Sequence, residues 1–188
     1  PAYPEYQDSG IEWLGEIPAD WSIDRLKHSV FVCKNGVWGN EPANNGNDIA
    51  CVRVADFDRQ KHIAAPDHPT VRNIVPSELS SRVLSKGDLL LEKSGGGEKQ
   101  PVGCVVLYTG DYRATCANFI ARIVLAPANS PSFWRYVHAA LYANKVNTRS
   151  IKQTSGIQNL DQKAYLDEKV TFPPKKEQMK IADFLDHE

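Results

Sequence analysis

Two polar segments of this chain concentrate side chains that could bind an anion or a nucleic acid. The first, residues 92–100, combines three consecutive glycines with serine, glutamine and two lysines, and its candidate contacts are Lys93, Ser94, Gly95, Gly96, Lys99 and Gln100. Glycine lets backbone amides approach a ligand closely, while lysine and glutamine donate hydrogen bonds to phosphates and base edges. A surface loop that binds nothing has the same composition, so both interpretations stay open at this point.

The second segment, residues 146–160, offers a similar set of donors. Its candidate contacts precede Gly156 and are Arg149, Lys152, Gln153 and Thr154. Lysines act as point charges on phosphates, whereas arginine and glutamine present two prongs to a base edge. If these segments contact DNA, we therefore expect the lysines to position the backbone and the forked side chains to distinguish bases.

Arg53 is the last candidate contact, because an arginine at the end of an apolar run must have a partner. That partner is either an internal carboxylate, Asp56 or Asp58, or a phosphate or guanine. We also expect Gly96→Val to damage recognition with little loss of folding stability, because a loop residue contributes little to the core.

Several common cofactor and metal motifs are missing from the sequence. There is no Walker loop, and Gln100 occupies the position of the third glycine in the dinucleotide-binding fingerprint, which disfavours ATP and NAD. An adenine methyltransferase needs an acidic residue or Asn before its Pro-Pro pair, where this chain has Phe172. His62 and His68 are not joined by further Cys or His at ligand spacing. We predict no metal site and no catalytic residue.

Composition limits the range of functions further. The 188 residues suit one domain with an appended element, and 41% hydrophobic residues suffice for a core. With 22 basic and 23 acidic residues the chain lacks the overall charge of a nucleic-acid binder, so a DNA site must be local or completed by a partner. The four cysteines form no C-x-x-C pair and are expected to be reduced and partly buried. No signal peptide or long apolar segment is present, which favours a cytoplasmic protein without a membrane partner.

Apolar runs around the two polar segments predict the elements that position them. Strands are predicted at residues 88–91 and 102–107, on either side of the first segment. A helix over residues 130–144, with Ser130 as its N-cap and Pro131 in its first turn, precedes the second segment. Further strands are predicted at residues 49–54, 70–75, 114–124 and 169–172, with helical turns after an extended entry in 21–33 and again in 77–82.

The two ends of the chain complete the predicted fold. Residues 3–21 form an irregular aromatic arm that packs on the domain surface. A helix begins at residue 175, carries Ile181 and Leu185 as candidate partner contacts, and is expected to leave the body. The predicted class is α/β (α+β), a mixed curved β-sheet with packed helices and a C-terminal helix that begins a long spacer.

Three stretches of the sequence resemble the target recognition domain of specificity subunits from type I restriction-modification systems. They are DSGIEWLGEIPADW, GDLLLEKSGGGEKQPVG and TSGIQNLDQKAYLDEKVTFPPKKEQMKIADFLD, of which the last is the most specific. The resemblance implies a recognition domain at residues 1–172 and the start of a spacer helix at 173–188. Residues 35–83 gain little from it, because the middle of such domains varies with the DNA sequence recognised.

The resemblance also implies the partners of the chain. A subunit of this family carries two recognition domains, each binding one half of a split site in double-stranded DNA, and has no catalytic centre or cofactor of its own. It docks methyltransferase subunits and, through them, restriction subunits, so S-adenosylmethionine, ATP and Mg belong to those partners. Both a piece of a two-domain subunit and a half-subunit that dimerises fit the sequence.

A protein-binding module is the alternative from another class. The aromatic arm and the C-terminal helix could bind a protein without any DNA contact, since the charge balance does not require nucleic acid. The salt dependence of binding to random duplex separates the two, because only phosphate contacts lose affinity steeply with salt.

Overall fold

The computed structural model describes residues 3–187, and within that range the side chains of Thr154 and Ser155 are outside the description. Its strands are β1 (Tyr6–Asp8), β2 (Glu16–Pro18), β3 (Ser22–Arg25), β4 (Val30–Asn35), β5 (Asp48–Val52), β6 (Ile63–Ala64), β7 (Thr70–Asn73), β8 (Leu89–Glu92), β9 (Ser94–Gly95), β10 (Val105–Tyr108), β11 (Ala114–Cys116), β12 (Ile120–Leu125), β13 (Ile151–Ser155), β14 (Ile157–Leu160) and β15 (Lys169–Phe172). Its α-helices are α1 (Pro76–Leu79), α2 (Pro131–Ala143), α3 (Gln162–Leu166) and α4 (Lys175–Leu185), and 3₁₀ turns cover Leu26–Ser29, Val54–Asp56 and Val146–Ser150.

A five-stranded sheet in the order β4-β12-β8-β10-β6 forms the centre of the fold. Its pairs are antiparallel except that β10 and β6 run parallel. Strands β8 and β10 are buried along their whole length, which explains why both are continuous apolar runs rather than alternating ones. The mixed sheet and the strands on both sides of the first polar segment are confirmed.

A second sheet contains three strands, in the order β11-β5-β7. Residues 114–124, which we predicted to form one strand, are divided between the two sheets: β11 pairs with β5 and β12 pairs with β4 and β8. Residues 117–119 form the turn between them, so the polar Asn118 marks a change of sheet rather than an interruption within a strand.

Helix α2 packs its apolar face into the main core, as predicted. Trp134 is completely buried, and its indole Nε1 donates to Asn129 Oδ1 at 2.9 Å. Pro131 occupies the first turn, but the Ser130 hydroxyl makes no capping hydrogen bond. Instead the Ser130 backbone N–H donates to Gln178 Oε1 of α4 at 2.9 Å, which joins the two helices.

The C-terminal helix α4 differs from our expectation, because over its described length it packs against α2 rather than leaving the body. Ala182 and Gln178 are buried in this contact, and Ile181 packs on the edge of the main core. The structure therefore does not confirm a long spacer helix.

Two local predictions near the N-terminus are wrong. Residues 30–33 are part of strand β4 rather than a helix, because pairing with β12 outweighs the local helical spacing. The aromatic arm is not wholly irregular, since β1 and β2 pair with each other. The arm packs on the domain as predicted: Trp21 Nε1 donates to Glu177 Oε2 at 3.1 Å, and Trp13 packs against the main core.

All four cysteines are free, and only Cys33 is not fully buried. Burial raises the pKa of the Cys33, Cys51 and Cys104 thiols to about 11, and that of Cys116 to about 12. They are unreactive core residues, as expected. Among residues 3–187, no helix has both the length and the apolar character needed to cross a membrane.

Candidate nucleic-acid interface

The two polar segments are parts of one small β-sheet. Strand β9 of the first segment pairs with β14 of the second, which places Ser94 opposite Asn159 and Gly95 opposite Gln158. The Ser94 hydroxyl donates to Asn159 Oδ1 at 2.7 Å. The second segment is therefore a β-hairpin, β13 and β14, that turns at Gly156 with φ of +62°, and not the polar loop that we predicted.

The glycine-rich segment is held tightly at one of its glycines. Gly96 has a φ of +64°, and a Cβ there would lie 2.5 Å from the Val102 backbone nitrogen, closer than any side chain tolerates. Gly97 has open space around it. Gly96→Val would therefore disturb the folding of the segment itself, which corrects our expectation that it would affect recognition alone.

A cavity of about 550 Å³ opens beside this sheet. Residues from four parts of the chain line it: Trp38, the turn after β5, the end of β8 with β9, and the turn between β11 and β12. We call it the aromatic cavity, and its lining residues are Trp38, Arg53, Val54, Ala55, Glu92, Ser94, Gly95, Gly96, Ala117, Asn118 and Phe119. A neighbouring cleft, the lysine cleft, shares part of this wall and is lined by Val54, Ala55, Phe57, Arg59, Glu92, Gly96, Gly97, Glu98, Lys99 and Gln100.

Glu92, which lines both openings, forms an ion pair with Arg59 of the lysine cleft. Arg59 Nη2 lies 2.9 Å from Glu92 Oε2, and only 2% of Glu92 is exposed. Burial raises the pKa of the Glu92 carboxyl, and the neighbouring Arg59 charge acts in the opposite direction. Sequence reasoning missed this pair because we counted Glu92 as the first residue of a loop. It is the last residue of β8, and a charged residue directly after three leucines is the signal that could have indicated it.

Arg53 has the internal partner that was one of its two predicted alternatives. Its Nη2 lies 3.0 Å from Asp56 Oδ1 and its Nε lies 3.3 Å from Asp56 Oδ2, so the carboxylate is held by both prongs. The Arg53 side chain is nevertheless 43% exposed and borders the aromatic cavity. Asp56 therefore fixes the orientation of a guanidinium that still reaches solvent.

Two aromatic residues at the cavity were also missed. The Arg72 guanidinium lies 4.4 Å from the centroid of the Trp38 ring and donates to the Trp38 carbonyl oxygen at 3.2 Å. Phe119 is 55% exposed on the turn between the two sheets. Neither lies in a recognisable motif, because their positions depend on which sheets the flanking strands join.

Of the three predicted lysine contacts, only Lys99 lines one of these openings. Lys93 Nζ donates to Asn35 Oδ1 at 2.7 Å, and Lys152 Nζ lies 2.6 Å from Asp161 Oδ2. Lys99 is exposed at the lysine cleft. Two of the three lysines are thus already oriented by neighbouring oxygens.

Two of the predicted contacts with forked side chains, Gln100 and Gln153, lie on residues 92–100 and the β13–β14 hairpin, and a third, Arg149, lies elsewhere. Gln100 is exposed at the lysine cleft, and Gln153 is exposed on β13, opposite Gln158. Arg149 is not brought to this surface: it lines a different cavity beside the aromatic arm and pairs with Glu12 and Glu168 at 3.7 and 4.0 Å. The predicted contact through the Thr154 side chain lies outside the described residues.

We call residues 92–100, the β13–β14 hairpin and Arg53 the recognition surface. It combines exposed donors with an adjacent cavity that both polar and aromatic side chains line. Phosphates, base edges and ring faces can each find a partner there.

The sequence model of the type I restriction modification DNA specificity domain matches residues 30–187. The chain belongs to this family. The matched range includes all residues of the recognition surface. Among curated proteins, none matches the specificity domain significantly in sequence.

Solved structures share the fold of this specificity domain. The HsdS subunit of Thermoanaerobacter tengcongensis superposes with a TM-score of 0.60 at 18% identity, covering 97% of this chain and 39% of that one. A chain from a structural study of the assembly and conformational transition of a type I restriction-modification system gives a TM-score of 0.60 at 17% identity, with 97% and 40% covered. The type I S subunit of M. genitalium gives a TM-score of 0.55 at 15% identity, with 89% and 38% covered. The specificity domain thus spans about two fifths of these proteins.

Proposed function

We propose that this specificity domain recognises one half of a split DNA site within a type I restriction-modification complex. Family membership supports recognition of DNA sequence, and the pairing of β9 with β14 is the observation that carries the assignment to a surface. That pairing joins two donor-rich segments, with Ser94 and Asn159 65 positions apart in the sequence, into one small sheet beside the aromatic cavity. In this proposal the chain itself catalyses no reaction.

The donors of the recognition surface divide into two kinds of contact. Lys93, Lys99 and Lys152 would position the DNA backbone, because an ammonium group is a point charge that suits phosphate. Gln100 and Gln153 would face base edges, since their two-pronged amide groups match adenine in the major groove. Arg53, whose Nε and Nη2 both bond Asp56, would offer its remaining amino group to a phosphate. The near-neutral net charge fits a domain that shares its hold on the duplex with partner subunits.

Methylation across a library of duplexes tests the assignment, with each variant in the complete specificity subunit assembled with its methyltransferase subunits. Gln100→Ala or Gln153→Ala should cost about 1–3 kcal/mol on the preferred site and relax preference at one base pair. Arg149→Ala is the matched control, because Arg149 lies beside the arm and should leave the preferred sequence unchanged. An unchanged motif in both glutamine variants would place base recognition elsewhere.

The partner surface is proposed on α4 and the arm. Phe184 is 63% exposed and Leu185 38%, and they border a groove with Tyr3 and Pro4. Exposed apolar side chains of this size mark an interface. We assign docking of a methyltransferase subunit, or of the second recognition domain, to this groove; S-adenosylmethionine, ATP and Mg would be bound by the partner subunits.

Phe184→Ser combined with Leu185→Ser tests the docking surface. We expect weaker capture of the methyltransferase subunits with unchanged thermal unfolding, because both side chains are exposed. Ile181 is a poorer probe than we predicted, since it packs on the main core and its replacement would reduce stability. Unchanged assembly of the double variant would exclude this groove as the docking site.

The same exposed stripe favours a second candidate, a protein-binding module that makes no DNA contact. Binding of the complete subunit to random duplex separates the candidates. A domain that contacts phosphates should lose affinity steeply between about 50 and 200 mM salt, whereas a protein-binding module should show no duplex binding at either concentration.

A further inference from the structure

The carboxylate in the wall of the aromatic cavity is poorly placed for contact with a paired base. Side chains that distinguish paired bases protrude into a groove and meet base edges there. Glu92 does not protrude: it is 2% exposed, and a Cβ placed on Gly95 would lie 3.8 Å from its Oε1. Gly95 therefore lies beside this carboxylate, and both residues line the cavity.

Two aromatic side chains, Trp38 and Phe119, line the same cavity as this carboxylate. Arg72 lies over one face of the Trp38 ring and holds it in place through the Trp38 carbonyl. Phe119 is more than half exposed, on a turn whose flanking strands belong to two different sheets. Aromatic faces beside a hydrogen-bonding group are the means by which proteins bind unstacked bases.

We propose that the aromatic cavity holds one nucleobase swung out of the duplex, with its ring against Trp38 and Phe119 and its edge bonded to Glu92. This inference rests on the proposed function, because DNA recognition is what brings a base to the cavity. The volume of about 550 Å³ lies within the range of small-molecule sites.

The chemistry of the cavity limits which base it takes. Arg59 binds the Glu92 carboxylate through Oε2, and the backbone N–H groups of Gly103 and Cys104 also lower the pKa of this carboxyl, which burial raises. A carboxylate can only accept further hydrogen bonds. The base must therefore present an N–H group, and an exocyclic amino group projects furthest from the ring. Adenine, cytosine and guanine have one, and thymine does not. Arg53 at the rim is placed to meet the phosphate of the same nucleotide.

Duplexes that lack one base test the proposal. The complete specificity subunit is assembled with its methyltransferase subunits, and its preferred site is found by library methylation. Binding is then measured for a series in which each base in this half-site loses its partner to an abasic position. A base that must leave the stack binds better without a partner, so one position, distinct from the methylated adenine, should tighten binding about tenfold.

Variants connect that gain to the cavity. Phe119→Ala and Glu92→Gln should each abolish the tenfold gain. Phe31 is an exposed phenylalanine on β4 that does not line the cavity, so Phe31→Ala should keep the gain. Thermal unfolding is measured alongside. If the Glu92→Gln variant does not fold, Phe119→Ala, which replaces an exposed side chain, still tests whether the cavity holds the base.

Three results have distinct meanings. If no position gains affinity without its partner, the half-site stays paired and the inference is wrong. A gain that survives Phe119→Ala would place the extruded base outside this cavity, which also contradicts it. A parent complex with no sequence preference at all would overturn the proposed function, and the inference with it.

Discussion

Two buried polar pairs in this molecule have opposite surroundings. His138 of α2 and Tyr165 of α3 are both fully enclosed in the main core, with His138 Nδ1 2.7 Å from the Tyr165 hydroxyl. Glu92 and Arg59 also form a close pair, but they lie at the boundary of two openings. A pair enclosed by the core orients helices, whereas a pair at the base of a cavity is available to a ligand.

The comparison extends to the titration of these groups. Burial lowers the pKa of His138 to about 3, so the ring is neutral in the folded protein at ordinary pH. Burial raises the pKa of Glu92, but Arg59 opposes that shift and favours the ionised form. His138 in the core is therefore uncharged, whereas Glu92 at the cavity keeps Arg59 as a partner of opposite charge. We therefore expect a functional role for the Glu92–Arg59 pair rather than for the His138–Tyr165 pair.

Substitution of two tryptophans should give the largest difference in stability between the core and the cavity. Trp134 is completely buried, so Trp134→Ala should lower the free energy of unfolding by about 3–5 kcal/mol. Trp38 is 37% exposed at the cavity, so Trp38→Ala should cost about 1 kcal/mol, chiefly the contact with Arg72. Chemical denaturation of both variants measures the difference. Equal losses would mean that the cavity rim is part of the core.

The pH dependence of stability should identify the enclosed pair. Because the pKa of folded His138 lies below its ordinary value of 6.5, the unfolded chain takes up a proton below pH 6.5 that the folded chain refuses until about pH 3. His138 therefore stabilises the fold fully above pH 6.5 and loses about 1.4 kcal/mol per pH unit on acidification. Between pH 6.5 and 5.0 this amounts to about 2 kcal/mol.

Variants isolate this contribution from other titrating groups. His138→Gln should be less stable at pH 7 but should flatten the loss between pH 6.5 and 5.0, measured by denaturation at each pH. His68→Gln replaces an exposed histidine and should keep the slope of the parent protein. A His138→Gln variant with the parent slope would show that His138 takes up its proton without unfolding.

The smallest effect is expected at the surface lysines. Lys99→Ala should weaken binding to every sequence alike and lower the slope of log affinity against log salt by about 0.9, the loss of one phosphate contact. Lys86 precedes β8 at the end opposite the cavity and pairs with exposed Asp111, so Lys86→Ala should leave the slope unchanged. Titrations of the assembled complex at several salt concentrations measure both. Equal slopes in the two variants would remove Lys99 from the recognition surface.

Local patterns in the sequence predicted those elements whose conformation local chemistry dictates. Helix α2 has a proline in its first turn and a core-facing stripe, and β8 and β10 are apolar runs bounded by breakers. The donor-rich character of both polar segments also follows from composition alone. Each of these conclusions needs no knowledge of what lies across the fold.

Tertiary structure decided how those elements meet, because strand pairing joins residues far apart in the chain. Residues 30–33 have helical spacing yet form β4, since β12 supplies the hydrogen bonds that a helix would have supplied internally. The aromatic cavity brings Trp38, Glu92 and Phe119 together only because β4, β8 and β12 are neighbours in one sheet. No local sequence pattern reveals the order of the strands in the sheet. The hydrogen-bond donors could therefore be predicted from the sequence, whereas the cavity beside them could not.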